Sequence, residues 1–202
     1  MKPAAIVLCG GQSNRMGTSK AWLPFGGEPM LVRVLRILGQ GCSPLVVVAA
    51  PGQDLPVLPD GTVVARDEER GRGPLQGLAA GLEALAGRAE TAYVSSCDVP
   101  FLSAAFVERM SELLGEDAVA VPEVGGIRHP LAGVYRTTVL PVVREMLEAG
   151  RLRTAALLDR VATRFVTEAD LAGVGLESLR NLNTPEDYEA AQRSWPISGR
   201  RP

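Results

Sequence analysis

An α/β fold, with a mostly parallel sheet between two layers of helices, is predicted by two features of this sequence. The first is a series of short runs that are mostly β-branched or uniformly apolar, at residues 4–8, 44–50, 62–65 and 91–96. Such runs are typical of strands that are buried on both faces. The second is the helical pattern of the segments that separate these strands. Alternating strands and helices of this kind indicate βαβ units.

The helices of the first half are predicted from their apolar spacing. In the first helix, apolar residues recur at the i, i+3, i+4 and i+7 positions from Leu31 to Leu38, so one face should pack on the sheet. The predicted helices span residues 29–41, 74–87 and 103–115.

The regular alternation changes in the second half. Residues 118–126 and 127–137 are predicted to be two antiparallel strands joined through Gly125-Gly126. In the closing helix, Thr184 suits the N-cap and Pro185 the first helical position. The remaining elements are helices at 139–150, 154–162 and 183–192 and a strand at 163–167.

Composition limits the class of protein. The 202 residues carry a formal net charge of −2, which excludes the broad basic surface of a general nucleic-acid binder. No apolar run approaches the roughly 18 residues of a membrane span, so no membrane partner is expected and a cytoplasmic location is predicted. Without a linker or repeat, we expect one domain over residues 1–192 and a loose tail at 193–202.

The cysteines indicate neither disulfides nor a zinc site. There are three of them, Cys9, Cys42 and Cys97, with no CxxC pair. Small buried thiols are the expected role.

The segment "CGGQSNRMGTSK" at residues 9–20 predicts a phosphate-binding loop after the first strand. Its glycines let backbone amides approach an anion, and Arg15 and Lys20 add positive charge. It is neither a P-loop, because Lys20 is followed by Ala21, nor a G-x-G-x-x-G fingerprint. An exposed polar turn is the competing interpretation.

The segment "SSCDVPF" predicts a metal ligand at the end of the fourth strand. Asp98 should lie at the carboxyl edge of the sheet, where one carboxylate facing a polyphosphate suits Mg²⁺. The competing role is the N-cap of the next helix, for which Ser103 is the better candidate.

Together these segments resemble the nucleotidyltransferases typified by molybdenum-cofactor guanylyltransferase, the MobA type. "LCGGQSNRMGTSKAWLPFGGEPML" is similar to the family signature LAGGxSxRMGxxKxxLxxxGxPLL. Similar motifs cover nearly the whole chain: "GPLQGLAAGL" from Gly73, "CDVPFL" from Cys97, "HPLAGVYR" from His129 and "LRNLNTPEDY" from Leu179.

The resemblance implies a fold, a reaction and partners. The fold is a Rossmann-like α/β/α domain similar to the nucleotide-diphospho-sugar transferases. The reaction is transfer of GMP from GTP to molybdopterin with Mg²⁺ and release of pyrophosphate. Recipient molybdoenzymes or accessory cofactor-delivery proteins are further implied partners.

The resemblance also assigns roles by position. Asp98 would hold the metal and act in catalysis with Arg15 and Lys20, which contact phosphates. The implied nucleotide-binding residues are Leu8, Cys9, Gly10, Gly11, Lys20, Asp67 and Asp98.

Three residues are candidates for the acceptor or a second metal position. Asn181 and Asn183 match the family's NxNTPE segment, although turn and cap chemistry before Thr184 explains them equally well. Arg153 lies where relatives carry basic residues near the acceptor, and an exposed basic loop would give the same pattern. His129, the single histidine, is expected to be structural or acceptor-side.

One departure from the family leaves the substrate open. Many guanylyltransferases carry an asparagine after the second strand, where this chain has Ala49 and Ala50, so that contact to the nucleotide is either missing or replaced by Gln53. A cytidylyltransferase for the same cofactor, or another small-molecule relative, is therefore the alternative. A sugar transferase would need a D-x-D motif that this chain lacks at Asp98. A non-catalytic binding module would be expected to lose Lys20 or Asp98, and both are present.

Arg70 and Arg72 lie on a loop that either closes on substrate or is merely solvated.

Overall fold

The structure is a computed structural model that describes residues 2–10, 19–67 and 72–195. Within these ranges the chain forms ten strands and six α-helices. The strands are β1 (Ala4–Leu8), β2 (Pro24–Phe25), β3 (Glu28–Pro29), β4 (Leu45–Ala49), β5 (Val63–Arg66), β6 (Thr91–Ser96), β7 (Val119–Val124), β8 (Ile127–Arg128), β9 (Ala132–Arg136) and β10 (Thr163–Val166). The helices are α1 (Met30–Leu38), α2 (Gly73–Ala84), α3 (Ala104–Glu112), α4 (Leu140–Glu148), α5 (Thr154–Leu157) and α6 (Pro185–Ser194).

The central sheet is mostly parallel, as the sequence predicts. Its spatial order is β10-β7-β9-β6-β1-β4-β5, with β8 paired to β7. Strand β1 pairs in parallel with both β4 and β6, whereas β9 runs antiparallel to β6 and β7. The chain moves outward from β1 to β4 and β5 and then returns to the other side of β1 at β6. The strand order therefore reverses at β1, and sheets of this kind bind ligands beyond the carboxyl ends of the strands at that point.

Two apolar cores lie on opposite faces of the sheet. Alternate residues of β1 divide between them, because side chains of a strand point to opposite faces: Ala5 and Val7 face one core, and Ala4 and Ile6 face the other. The predicted burial of both faces is thus confirmed for β1, β4 and β6. It is wrong for β5, where Val64 is 40% exposed, because β5 is an edge strand of the sheet. Helices α1 and α3 cover one face and α2 and α4 the other; the α1 contribution includes the predicted residues Leu31, Val34, Leu35 and Leu38.

The predicted hairpin in the second half is more broken than its sequence suggests. Gly125 and Gly126 both have positive φ, +56° and +74°, as a tight hairpin turn between β7 and β8 requires. Pro130 then separates β8 from β9, since proline has no amide hydrogen for the ladder. The single strand predicted for residues 127–137 is therefore two short strands.

Helix α5 is also shorter than predicted, ending at Leu157 rather than near residue 162. The carbonyl of Ala162 accepts hydrogen bonds from Ala118 N at 2.9 Å and Val119 N at 3.1 Å. The chain must therefore be extended before β10 begins, and this pairing overrides the local helical pattern.

The C-terminal helix packs on a small third core. Helix α6 begins at Pro185 with Thr184 as its N-cap, as predicted, and continues through Ser194. The ring of Trp195 contacts Phe25, with centroids 5.4 Å apart, so packed structure extends to residue 195. None of the helices in the described ranges has the length and apolar character needed to cross a membrane.

Candidate active site

Asp98 lies at the carboxyl edge of the sheet, next to the reversal of strand order. Strand β6 ends at Ser96, and Cys97 N donates to the carbonyl of Leu8, at the end of β1, over 3.2 Å. The Asp98 side chain is buried, with the residue 7% exposed. Ser103 caps α3 by accepting from Phe106 N, so Asp98 is free of the capping role.

The Asp98 carboxylate is the centre of a polar network. Its Oδ1 accepts from the Ser96 hydroxyl at 2.6 Å and from Asn181 Nδ2 at 2.8 Å. Its Oδ2 pairs with Lys20 Nζ at 2.6 Å. Lys20 Nζ also donates to Asn183 Oδ1 at 3.0 Å. These four contacts hold four side chains, from three distant parts of the chain, around one carboxylate.

The segment 181–183 is held in place by its own backbone. Leu182 N donates to the Asp98 carbonyl at 3.0 Å, and the Leu182 side chain is fully buried. In an extended segment the residues on either side point the opposite way, which directs Asn181 and Asn183 into the polar network. The backbone N–H groups of Asn183 and Thr184 both donate to the Asp187 carboxylate, and these hydrogen bonds lower the pKa of that carboxyl. The segment therefore serves both the network and the helix cap.

Leu8, Cys9 and Gly10 lie where β1 ends. Leu8 and Cys9 are buried and Gly10 is exposed. The thiols of Cys9 and Cys97 are hydrogen-bonded, which lowers the pKa of Cys9 and, together with burial, raises that of Cys97. The three cysteines are free and buried, as expected. Two residues predicted for the same loop, Gly11 and Arg15, lie outside the described residues.

Asp67 and Gln53 lie farther along the same edge. Asp67 follows β5, and its amide donates to the carbonyl of Ala49 at the end of β4 over 3.0 Å. Gln53 turns back toward β1, where its Nε2 donates to the carbonyl of Cys9 at 3.1 Å.

A pocket of about 470 Å³ opens on the other side of Asn181. Arg153 is exposed on its wall, and its guanidinium has no hydrogen bond or ion pair with the other described residues. His129 also lines it, and burial lowers the pKa of the imidazole, which favours the neutral form. The wall further contains Thr154, which is 4% exposed and whose Oγ1 has no partner among the residues described.

The loop with Arg70 and Arg72 is only partly described. Arg70 lies outside the described residues. The Arg72 guanidinium donates to the carbonyl of Leu147, at the end of α4, over 2.7 Å.

The structure brings the candidates Lys20, Asp98, Asn181 and Asn183 together. Sequence reasoning also names Gln53, but it misses two residues of the site: Ser96, which bonds Asp98, and Thr154 in the pocket wall. Ser96 is the last residue of β6 and precedes Asp98 by two positions. That spacing is the signal that could have identified it, because alternate residues along a strand share a face.

The fold and the site together define a nucleotide-handling α/β enzyme. Residues 5–164 match the family model for the MobA-like NTP transferase domain. The chain belongs to this family, and it is a nucleotidyltransferase.

Relatives and solved structures agree with the family. A Mycobacterium ulcerans (strain Agy99) protein named "Probable molybdenum cofactor guanylyltransferase" is 39% identical over 194 residues, covering 94% of this chain and 93% of the relative. The structure of molybdopterin-guanine dinucleotide biosynthesis protein A from Archaeoglobus fulgidus has a TM-score of 0.75 at 20% identity, covering 94% and 97%. A Mycobacterium tuberculosis H37Rv protein in complex with manganese has a TM-score of 0.67 at 18% identity, covering 96% and 100%.

Proposed function

We propose that this protein transfers GMP from GTP to the phosphate of molybdenum-bearing molybdopterin, releases pyrophosphate and forms the guanine dinucleotide cofactor. The observation that carries the proposal is the convergence of Lys20, Asp98 and Asn183 at the reversal of strand order, beside an open pocket. The name of the Mycobacterium ulcerans relative supports this choice of donor and acceptor.

The proposed reaction requires stabilisation of negative charge rather than proton transfer. An oxygen of the acceptor phosphate attacks the α-phosphorus of GTP, and the bond from that phosphorus to the pyrophosphate oxygen breaks. The nucleophile is already an anion, so no general base is needed. The difficulty is to bring two anions together and to stabilise the charge that develops on the leaving pyrophosphate. Lys20, with Arg15 by family resemblance, supplies positive charge for this purpose.

The donor set at Asp98 fits Mg²⁺. Asp98 Oδ2 and Asn183 Oδ1 are hard oxygen donors, and both approach a single cationic group, the Lys20 ammonium. Mg²⁺ usually takes one or two protein oxygens and fills its other positions with phosphate oxygens and water. When bound, the ion would neutralise charge on the phosphates.

We therefore propose Asp98 as the metal residue, with Asn181 or Asn183 as a second ligand. No group of three His, Cys, Asp or Glu residues that could hold a metal occurs in the described part of the chain, so Asp98 would act with amide and phosphate oxygens. The manganese complex of a fold relative is consistent with a divalent ion.

The acceptor is proposed to bind in the pocket beside Asn181. Arg153 offers an exposed guanidinium for a phosphate, which it can bind as a planar fork. Asn181 contacts Asp98 and also lines the pocket, so it joins the two substrate positions. On the nucleotide side, Leu8, Cys9, Gly10 and Asp67 remain the proposed contacts.

The test is pyrophosphate release from each of the four NTPs with Mg²⁺ and molybdenum-bearing molybdopterin, with chromatographic identification of the product. We expect turnover with GTP alone and formation of the guanine dinucleotide. Turnover with CTP instead would replace GTP as the proposed donor. This outcome is worth testing because the chain has Ala49 and Ala50 where many guanylyltransferases carry an asparagine. No turnover with any nucleotide would overturn the proposal that molybdopterin is the acceptor.

A further inference from the structure

Gln53 is presented to the site by a tight turn at the end of β4. The backbone N–H of Gln53 donates to the carbonyl of Ala50 over 3.1 Å, and this hydrogen bond closes a four-residue turn. Pro51 and Gly52 occupy the two central positions, and Gly52 has φ +68°. This is the residue pattern of a type II turn, in which proline sets the first central angle and glycine accepts the positive φ of the second. The Gln53 side chain is therefore held on a rigid corner.

Both ends of the Gln53 amide are used by the protein. Oε1 accepts from Ala50 N at 2.9 Å. Nε2 donates to the carbonyl of Cys9 at 3.1 Å and lies 3.5 Å from the hydroxyl of Ser19. Cys9 is the first residue of the predicted phosphate-binding segment and Ser19 directly precedes Lys20. One amide thus touches the segment near both of its ends.

The surroundings of Gln53 leave little freedom. A Cβ added to Gly10 would lie 3.3 Å from Ala50 N, so the backbone of residue 10 approaches the turn as closely as a side chain would allow. The Arg66 guanidinium, one strand farther out, donates to the carbonyls of Ala50 at 3.0 Å and Gln53 at 2.9 Å. The turn is therefore fixed from both sides, which gives its side-chain contacts a defined geometry.

We propose that Gln53 is a positioning residue for the nucleotide: its amide holds Cys9-Gly10 and the residue before Lys20 against the end of β4. The inference rests on the proposed function, since it takes this edge to be the NTP site. A direct contact between Gln53 and the base is disfavoured, because the side-chain oxygen and nitrogen already bond to protein atoms.

The physical effect follows from the order that these contacts impose. A phosphate-binding backbone gains affinity when its donors are fixed before the ligand arrives, because less ordering is needed on binding. Loss of the Gln53 contacts should therefore weaken nucleotide binding, while the acceptor pocket on the far side of Asn181 is unaffected.

The experiment compares Gln53→Met, which keeps the length of the side chain but no polar atom, with Gln40→Met at an exposed position. The wild-type protein is first titrated with each of the four NTPs and Mg²⁺, and the best nucleotide is used throughout. For Gln53→Met we expect the nucleotide Kd to rise about tenfold. The KM for molybdopterin should change by less than about twofold and the Tm by less than about 4 °C. Gln40→Met should match the wild type.

A second variant, Gln53→Glu, provides a pH signature. Its ionised carboxylate keeps an acceptor for Ala50 N but faces the Cys9 carbonyl without a hydrogen, whereas the protonated acid can donate one. The ratio of its nucleotide Kd to that of the wild type should therefore be smaller at pH 5 than at pH 8.

The inference is overturned if the wild type binds a nucleotide and Gln53→Met binds it within twofold. It is also overturned if the Tm falls by more than about 10 °C and both substrates lose affinity together, which would make Gln53 a general stability residue. If the wild type binds CTP in place of GTP, the proposed donor is wrong. The inference about Gln53 is then tested by comparing the CTP Kd of Gln53→Met with that of the wild type. If it binds no nucleotide, the proposed function and the inference fall together.

Discussion

The two halves of the active-site edge differ in how their polar side chains are held. On the nucleotide side, Lys20 and Asp98 bond to each other at 2.6 Å, and Ser96 adds a further hydrogen bond to the same carboxylate. On the pocket side, Arg153 is exposed without a partner among the described residues, and the buried hydroxyl of Thr154 has none either. The difference indicates that the described side chains of the proposed nucleotide half are held by the protein before binding, whereas the proposed acceptor half leaves the Arg153 guanidinium open for a ligand.

The largest expected effect is on the ordered half. Asp98→Ala removes the proposed metal residue, so we expect kcat to fall by about a thousandfold or more. Turnover is measured as pyrophosphate release, and the circular dichroism spectrum should stay that of the wild type. Asp60→Ala, at an exposed loop position, is the matched control. Substantial activity of Asp98→Ala would remove Asp98 from the metal site.

Lys20→Ala should mainly affect the donor. The loss of a charged contact to phosphate should raise the Kd for GTP about a hundredfold, as measured by calorimetric titration. Lys2, the other lysine of the sequence, is exposed, and Lys2→Ala serves as the control. An unchanged Kd would mean that Lys20 only balances the charge of Asp98.

Arg153→Gln should affect the open half alone. We expect the KM for molybdopterin to rise about tenfold, because a charge-assisted contact is lost, with the KM for GTP unchanged. Steady-state kinetics with each substrate varied in turn measure the split, and Arg151→Gln provides an exposed neighbour for comparison. An equal effect of the two variants would indicate a general basic surface.

The smallest effects compare two hydroxyls, the half-buried Ser96 and the buried Thr154, in the absence of ligand. Ser96→Ala should destabilise the fold by about 1 kcal/mol, since Asp98 loses a hydrogen bond. Thr154→Val should leave stability unchanged or raise it, because its Oγ1 has no partner to lose in the described structure. Denaturant unfolding of both variants measures the difference. Equal destabilisation would contradict the contrast between the halves.

The sequence predicts the ordered half better than the open half, for a physical reason. Asp98 follows a strand that is buried from Ala92 through Ser95, and the residue after such a strand lies at the carboxyl edge of the parallel sheet. The parallel pairing of β1, β4, β5 and β6 is confirmed, and the burial of β1, β4 and β6 explains why their sequence pattern is clear.

The open half depends on contacts between distant segments. The early end of α5 at Leu157 follows from the pairing of Ala162 with the start of β7, which local spacing does not reveal. The pocket wall combines His129, Arg153 and Asn181, which are brought together only by that arrangement. The sequence alone does not separate the two possible roles of Asn181 and Asn183, because the segment that contains them serves both the cap of α6 and the polar network at Asp98.

The independence of the two halves is tested most directly by the double variant Lys20→Ala/Arg153→Gln. Effects at sites that share no partner add in free energy. We predict that the loss in kcat/KM for molybdopterin, measured at one GTP concentration below its KM, equals in the double variant the product of the two single losses within about a factor of two. A double variant no worse than Lys20→Ala alone would contradict the account, since both residues would then serve one substrate.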